Sequence, residues 1–172
     1  MNHSTPTRSA HQTHEELADG IVAVRDLPGW IRDHASLPQI SYVDQFSADA
    51  SDSTASPEQW ARAMFGDVPN PGETLIWRGL LGLRLSKGKS SETVAGWQIS
   101  ERGTDWIRLE SASWFLSANL IVRHSHGTVS LATLVSYDRF PANIVWSALS
   151  AVHRRLAPGL VRGAVATVQD QG

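Results

Sequence analysis

The sequence contains no cysteine, which excludes disulfide bonds, thiolate nucleophiles and cysteine metal sites. It also has no apolar run approaching the roughly 18 residues that a membrane-spanning helix needs. The first residues lack the apolar segment of a secretory signal. We therefore expect a protein without a membrane span, located in the cytoplasm.

A strong net charge is missing as well. The 15 Lys and Arg residues nearly balance the 17 Asp and Glu residues, so the formal net charge is -2. This gives no electrostatic reason to expect a nucleic-acid partner. With 41% hydrophobic residues, the composition is that of a globular domain. Residues 1–20 carry few large apolar side chains and are predicted to form a disordered tail, and residues 21–172 a single domain.

Signatures of known catalytic sites are absent too. There is no nucleophile elbow, no zinc-binding His-Glu-x-x-His helix and no dinucleotide-binding glycine fingerprint. Gly88-Lys89-Ser90 resembles the end of a phosphate-binding loop, but Leu83 stands where that loop requires glycine. His124 and His126 could share one side of a strand. No further ligand lies nearby in the sequence, so an exposed hairpin end is favoured over a metal site. No metal or cofactor is expected.

What the chain does contain is a run of alternating apolar and polar residues between Ala95 and Tyr137. This period of two predicts four strands, and the short turns between them predict antiparallel pairing. The inner face of this sheet is predicted to carry Trp97, Trp114, Leu131, Thr133 and Tyr137.

The period becomes helical from Asn143, where an apolar stripe is formed by Val145, Leu149, Val152, Leu156 and Leu160. Pro158-Gly159 is expected to kink this helix or divide it in two. Upstream, 40–46 reads as a first core strand. Ser56 and Asn70 each begin a short helix with a capping box and a following proline. We predict an α+β fold: a curved antiparallel sheet wrapped around a long C-terminal helix, with two short helices after the first core strand.

Three residues are candidates for acid/base chemistry: Asp44, Tyr137 and His153. Asp44 shares a strand face with Tyr42 and Phe46, so it either pairs as a structural carboxylate or acts as a polar group in a pocket. His153 follows Trp146 by seven residues and shares its helix face, which suits either a structural histidine or a site residue.

The order of these elements resembles that of the helix-grip superfamily, which includes START lipid-transfer domains, birch-pollen-allergen-like proteins and polyketide cyclases. Within it, the segments SYVDQF at 41–46, PEQWAR at 57–62, VAGW at 94–97 and VHRRLAP at 152–158 are similar to a bacterial family of unknown function. That family occurs alone in actinobacterial proteins and appended to some NAD(P)-binding reductases. The resemblance covers roughly 26–168 and implies a fold with a cavity.

Three functions of different classes are compatible with these patterns. The first is binding of an apolar small molecule or polyketide-like ligand between sheet and helix, with an expected lining of Tyr42, Trp77, Trp97, Trp114, Leu131, Thr133 and Trp146. The second is an enzyme in the same cavity, such as a cyclase, dehydratase or isomerase. The third is an interaction domain, in which exposed Trp106 and Phe115 form a homodimer or partner interface.

Overall fold

The computed structural model describes residues 20–170, so the predicted tail, except for Gly20, lies outside the described residues. The strands are β1 Gly20–Ile21, β2 Tyr42–Asp49, β3 Thr93–Val94, β4 Trp97–Arg102, β5 Trp106–Ala112, β6 Leu116–Ser125 and β7 Thr128–Tyr137. The helices are α1 Gly29–His34, α2 Pro57–Phe65, α3 Pro71–Thr74 and α4 Ala142–Gln169, and a π-helical segment, Leu75–Leu80, continues α3.

The described strands form one antiparallel sheet in the order β1-β2-β7-β6-β5-β4-β3. The strand before the two short helices, β2, pairs with β7, the last strand in the chain, with Tyr42 opposite Val135 and Asp44 opposite Thr133. Together with α2, α3 and α4, this curved sheet confirms the predicted α+β fold.

Two strand pairs are closed by turns of two residues with positive φ. His126 (φ 52°) and Gly127 (φ 73°) join β6 to β7, as the sequence predicts. Ala95 (φ 48°) and Gly96 (φ 83°) join β3 to β4, although the alternation predicts that Ala95 lies within a strand. A Cβ atom at Gly96 would lie 2.7 Å from the Ser86 carbonyl oxygen, so only glycine fits there.

The predicted capping boxes begin α2 and α3. The Ser56 side chain accepts a hydrogen bond from the Gln59 amide, and the Asn70 side chain accepts one from the Glu73 amide. For the second helix, the helical period predicts a buried face of Leu75, Ile76, Leu80 and Leu83. Leu75 and Leu80 are instead exposed, while Leu81 and Leu83, past the helix end, are buried. The wider turn of the π-helical segment rotates these side chains out of the period of 3.6 on which the prediction rested.

Helix α4 packs on β2, β7 and α2 and is continuous through Pro158, so the predicted division does not occur. Its buried face consists largely of small residues, and the members of that face are Ala142, Trp146, Ser150, Ala157, Val161 and Ala164. The predicted apolar stripe flanks this face, and Val152 and Leu156 in it are largely exposed. Small side chains let the helix approach the sheet, which the apolar periodicity alone does not indicate.

Both faces of the sheet are covered. The inner face, under α2 and α4, carries Leu116, Leu120, Leu131 and Val135. The outer face carries Val43, Ile121, Ala132 and Leu134, and these pack against Leu27 and Ile31 of the segment that contains α1.

Hydrogen bonds fix this N-terminal cover on the sheet. The Ser36 amide donates to the Asn119 side chain over 3.0 Å, and Arg108 donates to the His34 carbonyl oxygen over 2.7 Å. The sheet is therefore the middle layer of three.

In the β5–β6 connection, the exposure of Trp114 and Phe115 is the opposite of the predicted one. Trp114 is 63% exposed, whereas Phe115 is 5% exposed. Both residues precede β6, which begins at Leu116, because Ser113 forms a turn whose hydroxyl accepts hydrogen bonds from the amides of Phe115 and Leu116. Strand alternation does not extend through a turn, so Trp114 leaves the inner face and Phe115 enters the core.

Candidate functional site

A cavity of about 470 Å³ lies between the inner face of the sheet and the helices. Residues from β4, β6 and β7 line one side, and residues of α4 line another. The remaining lining comes from α3, the π-helical segment and neighbouring positions such as Phe65, Leu81 and Leu83. The lining is almost entirely apolar, and it includes Trp97, Leu120, Leu131, Trp146, Leu149 and Leu160. An apolar volume of this size is typical of small-molecule sites, which span roughly 300–1,000 Å³.

One polar network meets this cavity, through His153. The His153 Nε2 atom lies 3.1 Å from Oδ2 and 3.3 Å from Oδ1 of Asp44. The Tyr42 hydroxyl donates a hydrogen bond to the same carboxylate over 2.6 Å. Asp44 is fully buried, and burying a carboxylate is costly unless hydrogen-bond donors surround it. Tyr42 and His153 supply those donors.

The local structure explains why these side chains converge. Tyr42 and Asp44 are two residues apart on β2, so both side chains point to the inner face. Trp146 and His153 are seven residues apart on α4, nearly two helical turns, and their ring centroids lie 5.6 Å apart, as the spacing predicts. Trp146 also contacts Tyr42 edge-on at 5.2 Å, which ties the helix to the strand.

The Tyr42 hydroxyl titrates abnormally. Burial raises its pKa, the hydrogen bond to Asp44 and the charge of that carboxylate raise it further, and the nearby Arg154 guanidinium acts in the opposite direction. Each raising effect disfavours the phenolate, so the hydroxyl keeps its proton and acts as a donor to Asp44.

Three buried polar atoms of cavity-lining residues have no hydrogen-bond partner among residues 20–170. They are the Thr133 hydroxyl and the indole nitrogens of Trp97 and Trp146. Glu73 also lines the cavity, and burial raises the pKa of its carboxyl. Its carboxylate is already engaged, since it accepts the Asn70 amide hydrogen over 2.8 Å. A few polar groups within an apolar wall can orient a ligand.

The predicted site residues fall into two groups. The cavity lining includes Trp77, Trp97, Leu131, Thr133, Trp146 and His153. Asp44 and Tyr42 lie behind it and reach it through His153 and Trp146.

Two predicted site residues lie elsewhere. Trp114 is outside the cavity because it stands on the β5–β6 turn. Tyr137 ends β7, four residues from Thr133, where burial raises its pKa. Among the described residues, no hydrogen bond joins it to Asp44 or His153.

The aromatic pair predicted for an interaction surface is not exposed as a pair. Phe115 lies in the core, and the Trp106 ring stacks on His34 with centroids 3.9 Å apart. The physical reason is the N-terminal cover, which brings His34 over the end of β5.

His124 and His126 do not converge. His124 Nε2 lies 3.3 Å from the Ala50 carbonyl oxygen, while His126 bonds the neighbouring Ser125 hydroxyl. Within residues 20–170, no three His, Asp or Glu side chains gather closely enough to hold a metal ion. None of the helices in this part of the chain combines the length and apolar character that crossing a membrane requires.

Two features were missed from the sequence. Tyr42 was expected as a ligand contact, yet it donates to Asp44, and the spacing of two residues on one strand was the available signal. Glu73 was assigned only to a capping box, and nothing in its local sequence indicates that α3 borders the cavity.

Comparisons with known proteins find few similarities to this chain. No family model matches the sequence. No curated protein matches it either. Among solved structures, a hypothetical protein, jhp0584, from Helicobacter pylori superposes with a TM-score of 0.42 and 11% sequence identity over 98% of this chain and 99% of that one. An overlap this loose carries no conclusion about function.

Proposed function

We propose that this protein binds a hydrophobic small molecule in the cavity between the sheet and α4. The observation that carries the proposal is the cavity of about 470 Å³, which is bounded by apolar side chains from the sheet, from the region around α3 and from α4. Transferring an apolar ligand from water into such a space is favourable by about 25 cal/mol for each Å² of apolar surface removed from water. Trp77 and Trp97, whose rings meet edge to face at 5.6 Å, offer a rigid aromatic wall.

We also infer that the chain is a divergent member of the helix-grip superfamily. Support comes from the order of elements: β2, two short helices, the antiparallel strands β3 to β7, and then α4 across the inner face. This inference favours a planar or strongly apolar ligand of lipid or polyketide type, as the resemblance of the sequence to the helix-grip superfamily implies.

The test uses the neutral dye Nile red, whose fluorescence increases in apolar surroundings. The wild-type protein should bind it saturably. Leu131→Trp should abolish binding and leave the protein folded, because Leu131 is fully buried at the cavity wall and a larger side chain there fills the space.

The matched control is Ile144→Trp, which adds the same indole at an exposed position of α4 outside the cavity lining. This variant should bind the dye like the wild type. Loss of binding in both variants, or in neither, would contradict the proposed location of the ligand.

A second candidate is an enzyme of natural-product type, such as a cyclase, dehydratase or isomerase, that uses the same cavity. The observation that favours it is the contact between cavity-lining His153 and buried Asp44. A histidine held by a carboxylate is a common acid/base arrangement. Turnover of a bound ligand, lost on His153→Gln, would distinguish this function from binding alone.

A further inference from the structure

The imidazole ring of His153 lies at the cavity wall and has a hydrogen-bond partner, among the described residues, on one of its two nitrogen atoms. Its Nε2 atom is held by Asp44, and Nδ1 has no hydrogen-bond partner among the described residues 20–170. The side chain is 23% exposed and borders the cavity. One ring nitrogen is thus fixed by the fold, and the other has no hydrogen-bond partner among these residues.

The partner on Nε2 determines the tautomer of the ring. A carboxylate only accepts hydrogen bonds, so Nε2 carries the hydrogen, and a neutral imidazole then has its lone pair on Nδ1. The His153 Nδ1 atom is therefore a base.

His153 is not the only donor to Asp44. The Tyr42 hydroxyl donates to Oδ2 over 2.6 Å. The Arg154 guanidinium acts on that hydroxyl, where it opposes the rise in the pKa of Tyr42. The carboxylate is therefore held in place from the strand as well as from the helix.

We propose that His153 is a general base that removes a proton from a ligand bound in the cavity, with Asp44 and Tyr42 as positioning residues. This inference rests on the proposed function, because it requires a bound ligand. The ligand class is a flat, apolar carbonyl compound with a C=C bond one carbon away from the carbonyl group, so that the C–H bond between the two groups is acidic.

In the proposed step, the C–H bond breaks, Nδ1 takes the proton, and the electron pair moves into the carbonyl group to give an enolate. The imidazolium then returns the proton to the far carbon of a C=C bond conjugated with the enolate, and that bond moves next to the carbonyl group, so the net reaction is an isomerisation and no co-reactant is needed. The apolar lining limits water around the reacting atoms, which strengthens the electrostatic effect of the network on this step.

The activity test uses 5-nitrobenzisoxazole, a flat, apolar carbon acid. A base removes its C3 proton, the electron pair forms a nitrile, and the N–O bond breaks to give a coloured cyanonitrophenolate. The wild-type protein should exceed free imidazole at equal concentration by about 10²-fold or more, within the usual range for a positioned base. The rate should rise with pH to a plateau.

Three variants separate the roles. His153→Gln should lower the rate to that of free imidazole while Nile red still binds. Asp44→Asn should lower kcat with little change in KM, since an asparagine can stabilise the other tautomer. His34→Gln is the matched control, because His34 stacks on Trp106 away from the cavity and should leave the rate unchanged.

A measurement on the unaltered protein covers the case in which a variant fails to fold. Nitrogen NMR of the His153 ring at neutral pH should show hydrogen on Nε2 and none on Nδ1. The reverse tautomer, or dye binding with no rate above free imidazole, would overturn the general-base role and leave the binding function standing. Absence of dye binding would contradict both the binding function and the general-base role.

Discussion

The two faces of the sheet are made by the same strands, yet one face is filled and the other borders a cavity. On the outer face, Val43, Ile121 and Leu134 pack directly against Ile31 of the N-terminal cover. On the inner face, α4 contacts β2 and β7, and a cavity of about 470 Å³ separates part of the helix from the sheet.

The difference teaches that apolar character alone does not determine whether a face is filled. Leu131 and Leu134 are both fully buried, three residues apart on β7, and no sequence pattern distinguishes their surroundings. The two leucines differ in the layer that covers them, which is the N-terminal cover for Leu134 and α4 for Leu131. A short segment fixed to the sheet by its own hydrogen bonds conforms to the outer face, whereas a long helix across a curved sheet leaves a gap.

The largest expected effect compares one leucine from each face. Leu134→Ala should lower the free energy of unfolding by about 4 kcal/mol, in the upper part of the range for buried leucines, because it opens a new hole in a filled layer. Leu120→Ala should lower it by about 2 kcal/mol, because Leu120 already borders the cavity and loses fewer contacts. Chemical denaturation of both variants measures the difference, and equal losses would show that the inner face is filled in solution.

A middle-sized effect tests the polar network of the inner face. Tyr42→Phe should cost about 1–3 kcal/mol at neutral pH, because the buried Asp44 carboxylate loses a hydrogen-bond donor. The folded state raises the pKa of Tyr42 above its unfolded value of about 10. Its stabilising contribution is therefore complete below about pH 10 and is lost as the pH rises further.

Unfolding free energies measured across alkaline pH should fall in the wild type and fall less steeply in Tyr42→Phe. The chain has two tyrosines, so Tyr137→Phe is the control. Burial also raises the pKa of Tyr137, but no carboxylate within residues 20–170 contributes to that rise, so removing the hydroxyl should flatten the slope less. If Tyr137→Phe flattened the slope more than Tyr42→Phe, the assignment of the alkaline loss of stability to Tyr42 would be contradicted.

The smallest effect compares two hydroxyls on β7. Thr133 faces inward, and its buried hydroxyl has no hydrogen-bond partner in the described part of the chain, so Thr133→Val should leave stability unchanged or raise it by up to about 1 kcal/mol. Ser130 faces outward and bonds the Ser47 hydroxyl over 2.9 Å, so Ser130→Ala should cost about 1 kcal/mol. Thermal melting of both variants shows whether each substitution raises or lowers stability. A clear loss of stability in Thr133→Val would reveal an unrecognised hydrogen-bond partner of the Thr133 hydroxyl.

Local patterns predicted much of the framework. Strands β2, β5, β6 and β7 follow from alternation, and both capping boxes follow from residue order at Ser56 and Asn70. These features depend on neighbours within a few residues, which is the range over which sequence periodicity carries information.

Features that depend on distant partners could not be predicted in the same way. The contact between Asp44 and His153 joins residues 109 positions apart, and only the fold brings them together. The exchanged positions of Trp114 and Phe115 depend on where the Ser113 turn ends, and the buried face of α4 depends on how closely the helix approaches the sheet. The position of the N-terminal cover likewise depends on distant partners, because Ile31 packs with residues of strands that follow it in the chain.

The small residues on the buried face of α4 also bear on the size of the cavity. Ala157 is fully buried and also lines the cavity, so the size of that one side chain helps set the available volume. A larger residue there would take up part of the cavity. Under the proposed binding function, a change in the size of the ligand could therefore follow from a single helix position, with the sheet kept as the framework.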